Sequence, residues 1–211
     1  MPTEISFTKK PTLTDARVLL RPVRRSDALA AVAADPEADR LTGTHETFSL
    51  QALERWYGSR ADHADRLDLA IVERTLGECV GEVVLSDLDV HNRSCSFRIS
   101  LFDRRFFGQG LGTAASRLIL AHAFETVGIH RIELEVFAFN PRARHVYEKL
   151  GFVHEGTRRD ALRWDGKWID AHTMAVLAHE WTAHRGHPSL GSKGPTASGT
   201  GTEPGPAHPK P

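Results

Sequence analysis

Cysteine is scarce, neither charge is in surplus, and no long apolar run interrupts the sequence. Cys79 and Cys95 stand alone, with neither metal-ligand spacing nor the numbers of a disulfide framework. They read as small, partly buried core residues. Lys plus Arg and Asp plus Glu number 27 each, so the net charge is zero. That balance argues against an electrostatic nucleic-acid binder, which carries a basic excess. No apolar stretch approaches the ~20 residues of a membrane span. The start, Met1-Pro2-Thr3-Glu4, lacks the basic and apolar regions of a signal peptide. Twelve histidines include no His-Glu-x-x-His pattern, so no metal is expected. A reduced cytoplasm fits these absences.

What is present suits one domain with a sizeable core, residues 1–185. Residues 186–211 are rich in Gly, Pro, Ser and Thr and poor in large apolar side chains. Such a tail cannot offset its ordering entropy and is expected to be disordered. The body reads β, α, α, β, β, β, α, β, α, β, β. A first strand covers 17–21, and Ser26 is the expected cap of an Ala-rich helix reaching Ala34. Ser49 caps a second helix with Leu50, Leu53, Trp56 and Tyr57 on its apolar side. Segments 67–74, 77–85 and 94–102 read as antiparallel strands. Asp165-Gly166 marks a hairpin turn. The mixture predicts an α/β domain with a twisted, mostly antiparallel sheet flanked by helices.

The most informative stretch follows the strand 94–102. Phe107-Gly108-Gln109-Gly110-Leu111-Gly112-Thr113 is a glycine turn that opens into a helical pattern over 113–127. Glycines let the backbone bend close to a ligand, and the free N–H groups of a first helical turn favour phosphate. The spacing is Gly-x-Gly-x-Gly rather than the dinucleotide fingerprint, and no Lys-Ser/Thr follows as in a P-loop. By itself the turn fits a phosphate cradle and a plain connection equally. A second segment breaks the tie. Asn140 suits an N-cap and Pro141 the first helical position. Ala143, Val146, Tyr147 and Leu150 fall on one face, Gly151 supplies the C′ position, and Phe152 starts the next strand.

These segments, in this order, resemble the GNAT superfamily of acyl-CoA-dependent N-acetyltransferases. The glycine turn resembles its pyrophosphate loop. Asn140, Ala143, Tyr147, Gly151 and Phe152 resemble its Asn-x-x-Ala-x-x-x-Tyr-x-x-x-Gly-Phe element. Residues 13–22, 81–85, 155–158 and 174–181 resemble the branch that includes the ribosomal-protein-alanine N-acetyltransferases. The resemblance implies a GNAT-like domain that takes acetyl-CoA as acyl donor. It places the pantetheine arm at Leu101 and Phe102, whose strand N–H groups can also serve as oxyanion donors. It places the pyrophosphate at Phe107, Gly108, Gln109, Gly110, Leu111, Gly112 and Thr113, with a further contact at Asn140. Phe107 stands where the family often has Arg or Gln, and Arg105 is a substitute charge in a different frame.

Tyr147 is the implied general acid, since a phenol of pKa ~10 is neutral and able to protonate a thiolate. It also fits an ordinary core position. The family often carries a base Glu on the fourth strand, but 94–102 contains no acid, and Phe97 stands near that place. Glu82 is the first choice of base, with Glu135 and His91 behind it and ordered water equally consistent. The acceptor site is expected between 35 and 60 and the final hairpin, with Trp56, Tyr57, Trp164 and Trp168 as possible lining. The implied acceptor is a primary amine. A protein N-terminal α-amine leads by branch resemblance, and a small-molecule amine such as a polyamine or antibiotic follows. A non-catalytic acyl-CoA sensor is the alternative of a different class.

Overall fold

The computed structural model describes residues 5–185, with the backbone alone for 182–185. The expected tail, 186–211, lies outside the described residues. The strands are β1 (Leu13–Thr14), β2 (Val18–Pro22), β3 (Leu67–Glu73), β4 (Cys79–Asp89), β5 (Ser94–Leu101), β6 (Arg131–Phe137), β7 (Val153–Trp164) and β8 (Lys167–Leu177). They form one sheet in the order β1-β2-β3-β4-β5-β6-β8-β7. Every neighbouring pair is antiparallel except β5–β6. This is the mixed, mostly antiparallel sheet expected.

The helices are α1 (Ala28–Val32), α2 (Pro36–Thr42), α3 (Leu50–Ser59), α4 (Leu111–Ala121), α5 (Pro141–Lys149) and α6 (Ala178–Arg185). β3 is covered on both faces. Leu67, Leu69 and Ile71 are fully buried in the larger core, which α4 and α5 close with Ala115, Ile119 and Tyr147. Burying each such aliphatic side chain contributes about 1.5–3 kcal/mol. Ala70 points the other way, into a smaller core of Val23, Ala28 and Tyr57 beneath α1 and α3.

Several boundaries differ from the expectation. Ser26 is not a cap. The segment opens with a 3₁₀ turn, Arg25–Asp27, and it is the Asp27 carboxylate that accepts from the Arg24 N–H at 2.7 Å. A fork from Arg21 fixes that carboxylate at 2.7 and 2.8 Å. Helix α2 was not anticipated, although its signals are present. Asp35 caps it by accepting from the Glu37 N–H, Pro36 is its first residue, and Gly43 ends it at φ +69°. Gly43 has no room for a side chain, because a Cβ there would lie 2.6 Å from the Phe137 ring. Helix α4 begins at Leu111, and a π-helical turn, His122–Val127, carries it to Gly128. The expected caps at Ser49 and Asn140 form, accepting from the N–H groups of Ala52 and Ala143. Asp165 and Gly166, both at positive φ, make the hairpin turn.

Candidate active site

The sheet itself makes the site. β5 and β6 pair only where Ser94, Cys95 and Ser96 meet Arg131, Ile132 and Glu133, and then they part. β5 stays on β4 as far as Gly81–Leu101, and Phe102 N–H still donates to Val80 O at 2.9 Å. In an antiparallel ladder main-chain groups alternate sides, so those of Ile99 and Leu101 face away from β4. They point into the opening. The opening is a cleft of about 700 Å³ that passes between the strands and is lined on both sheet faces.

On the α4 side the lining is Phe107, Gly108, Gly110, Leu111, Gly112, Thr113 and Ser116, then Asn140, Arg142 and Tyr147 of α5. Gly108 and Gly110 take φ of +74° and +80°, which folds the loop tightly ahead of α4. The first helical bond at this end runs from Ala114 N–H to Gly110 O. The N–H groups of Leu111, Gly112 and Thr113 therefore lack helical partners and carry the positive end of the helix dipole. Arg17 braces the loop from outside by donating to Gln109 O at 2.8 Å. The Ser116 hydroxyl is fully buried at the cleft wall with no hydrogen-bond partner among the described residues.

Tyr147 is 8% exposed, packed edge-on to Phe97 and tilted against Phe152. Its hydroxyl has no hydrogen bond among the described residues, and the side chain lines the cleft. Burial pushes its pKa up to about 12. The phenol is thus held neutral. The opposite mouth is lined by Ala38, Leu41 and Thr42 of α2, Trp56, Arg66, and the β5 residues Ser96, Arg98 and Ser100. Glu135 is the one acid lining the cleft among the described residues, and it is ion-paired with Arg158.

Residues 17–153 match the family model for the acetyltransferase (GNAT) domain. The chain belongs to the GNAT acetyltransferases. YdaF of Bacillus subtilis (strain 168), provisionally named a ribosomal N-acetyltransferase, is 31% identical over 109 residues, which span 52% of this chain and 59% of YdaF. The spermidine N(1)-acetyltransferase of Escherichia coli (strain K12) is 29% identical over 133 residues, 63% of this chain and 71% of that enzyme. Two solved structures share the fold. The spermidine N-acetyltransferase of Vibrio cholerae, crystallised with CoA and spermine, superposes with a TM-score of 0.71 at 23% identity over 80% of this chain and 99% of its own. A GCN5-related N-acetyltransferase of Brucella melitensis gives 0.70 at 22% identity over 84% and 83%.

GNAT enzymes use acetyl-CoA as acyl donor, and the features of this cleft fit such a molecule. Free N–H groups at the start of α4 suit a pyrophosphate. A Cβ at Gly108 would meet nothing within 4 Å, so the loop leaves open space beside it. The orphaned Ser116 hydroxyl and the main-chain groups of Ile99 and Leu101 are polar atoms wanting partners. The charge expected of Arg105 is spent elsewhere, on Glu78 at 2.7 Å and Asp103 at 3.0 Å. Arg142 was missed by the sequence reading. Its guanidinium stacks 4.4 Å from the Phe107 ring centroid and lines the cleft, so a cation stands at that loop after all. Its signal was its place two residues into a helix that begins at a cleft-lining Asn.

The structure gathers Leu101, Phe107, Gly108, Gly110, Leu111, Gly112, Thr113, Asn140 and Tyr147 around the cleft. Of the expected donor-site and base residues, Phe102, Gln109, His91 and Glu82 are not in its lining. Phe102 is buried, and its main chain is used by Val80 and by Asp35 N–H, which donates to Phe102 O at 2.7 Å. Gln109 turns back to donate to Arg105 O, while its carbonyl serves Arg17. His91 lies in the β4–β5 turn. Glu82 has both carboxylate oxygens engaged, one by the Tyr57 hydroxyl at 2.9 Å and one by Arg98 at 3.0 Å. Tyr57 is accordingly a core residue, its pKa raised first by burial and then by the Glu82 charge. Of the expected aromatics only Trp56 reaches the cleft. Trp164 stacks on His45, and Trp168 is exposed.

Proposed function

We propose that this chain transfers an acetyl group from acetyl-CoA to a primary amine, and that a protein N-terminal α-amine is its leading acceptor. The observation that carries the reading is the convergence, at one gap in the sheet, of unpaired strand N–H groups and a neutral phenol. The groups at Gly108, Gly110 and the first turn of α4 hold the donor's phosphates, with Arg142 adding charge. The N–H groups of Ile99 and Leu101 receive the developing oxyanion, where such donors supply several kcal/mol. Tyr147 gives its proton to the departing thiolate and needs no change of charge beforehand. Glu135 takes the acceptor's proton in place of Glu82, directly or through water. An α-amine of pKa ~8 is partly neutral at pH 7 and asks little of that base, whereas a Lys amine near ~10.4 asks more.

The likeness to YdaF supports a protein N-terminus, and the likeness to spermidine acetyltransferases supports a small amine. Two arginines, Arg66 and Arg98, at the mouth opposite the phosphate loop favour the first over a polyamine. No helix among the described residues is long and apolar enough to cross a membrane, and a cytoplasmic location is part of the proposal. The test is acetyl-CoA calorimetry followed by thiol release against N-terminal peptides and small amines. Binding with acceptor-dependent release supports transfer. Binding with no release from any acceptor points to a sensor, and no binding sinks the donor assignment.

A further inference from the structure

We propose that Arg98 reads a carboxylate carried beside the acetylated amine, and that Tyr57 and Glu82 are the positioning residues that aim it. The inference rests on the transfer reading above and names the acceptor class of the same site.

Arg98 sits on β5 next to Ile99, between the cleft-lining Ser96 and Ser100. Its side chain is 55% exposed, and it spends a single donor, Nη2, on Glu82. Nε and Nη1 have no hydrogen bond among the described residues. Glu82 is only 13% exposed, and its other oxygen accepts from Tyr57, whose ring is anchored in the small core with Val23, Ala28 and Ala70. A buried phenol thus fixes a carboxylate, which fixes one corner of a guanidinium and leaves the rest facing the cleft. Pre-set in this way, Arg98 loses little freedom on taking a ligand.

A second guanidinium stands on the same side. Arg66 is forked onto the buried Asp68 through Nε and Nη2, which leaves Nη1 unused. Trp56, half exposed, flanks it as an apolar wall. Glu135, the one acid in the lining, is matched by Arg158. A polyamine would bring further positive charge against Arg98 and Arg66. A carboxylate would instead accept their spare N–H groups in the planar, paired geometry that Arg offers. Because Arg98 adjoins the strand groups that face the reacting carbonyl, the carboxylate must lie within a residue or two of the amine. It is either the α-carboxylate of a free amino acid or an acidic side chain near a peptide N-terminus.

The probes are alanine against alanine amide, C-terminally amidated Ala-Glu-Ala-Ala against Ala-Gln-Ala-Ala, and spermidine. Each is titrated into CoA-saturated protein by calorimetry and assayed separately for thiol release from acetyl-CoA. The carboxylate member of one pair is expected to bind about tenfold or more tightly, as charge-assisted Arg pairs do, and the pair that responds identifies the source. R98A and R98E lose the preference, R98K keeps part of it, and acetyl-CoA affinity is unchanged in all three. Y57F lowers the preference severalfold and leaves the uncharged member's affinity alone, which a general loss of folding would not do. Equal affinities within both pairs, tighter binding of spermidine, or a preference that survives in folded R98A overturns the proposal. Thiol release with spermidine or alanine amide at undiminished kcat/KM overturns it too, while leaving the transfer reading standing. Carboxylate discrimination without thiol release from any acceptor upholds Arg98 and removes the transfer reading instead.

Discussion

Single side chains carry the sharpest consequences. Replacing Tyr147 with Phe keeps the ring among Phe97 and Phe152 and deletes only the hydroxyl. Turnover is expected to fall about 10²–10⁴-fold, the usual worth of a placed general acid, with acetyl-CoA affinity preserved. Single-turnover assays beside calorimetry check both halves of that statement. Asp27 offers a pH test. Burial pushes its pKa up, but the Arg21 fork and the Arg24 N–H outweigh burial and hold it below the usual carboxylate range. A depressed folded pKa means that the stabilisation is present above the unfolded value near ~4 and is lost as pH falls through the lower folded value. Acid titration of the melting temperature should show that loss in the wild type. In D27N the low-pH decline is smaller, and stability at neutral pH drops by about 3 kcal/mol because Arg21 loses its partner. The place of Tyr147 at the cleft was legible in the sequence because its helix was fully punctuated. The engagement of Glu82 was not legible, because strand position does not tell which partners a carboxylate will find. Two residues that sequence spacing cannot bring together, Tyr57 and Arg98, claim it.

At the scale of elements, the expected caps at Ser49 and Asn140 and the turn at Asp165-Gly166 formed, whereas the cap expected at Ser26 gave way to the Asp27 carboxylate that Arg21 holds. Helix α2 was passed over because its seven residues hold few apolar side chains, so periodicity was silent while Asp35, Pro36 and Gly43 spoke. That helix lines the cleft at the mouth opposite α4, and Gly43 lets it end against Phe137. G43A combines a left-handed backbone with a Cβ inside van der Waals range of that ring, so it should cost about 1–2 kcal/mol. Acceptor KM should rise severalfold while acetyl-CoA affinity stays constant, and steady-state kinetics with thermal melts tests the split. The strand β5 makes a different prediction. The amides of Ile99 and Leu101 lack a strand partner, whereas those of Arg98 and Ser100 lie on the β4 side. In hydrogen exchange the first pair should exchange faster in free protein and slow on adding CoA, with the second pair little changed. Uniform protection in the free protein would contradict the open gap.

For the whole molecule, the order of elements was readable because strand patterns, glycine punctuation and helical stripes agree along the chain. The divergence of β5 from β6 was not. It arises from pairings chosen elsewhere, since β5 follows β4 and β6 follows β8, and no residue in either strand announces it. The two halves of the sheet meet through three residue pairs at one end, beside Arg131, which is held by Glu155 at 2.6 Å and Glu133 at 3.1 Å. Mechanically that makes a pair of tongs. From Ser96 to Leu101 the arm is about 17 Å long, so a tilt of about ten degrees at the pivot shifts the tip by about 3 Å. The jaw width is then set by a rivet far from the chemistry. R131A, which touches nothing in the main cleft, should change acetyl-CoA affinity measurably in calorimetry while leaving the single-turnover rate at saturating donor intact. Variation at the pivot would let donors of different girth be gripped by the same reacting groups.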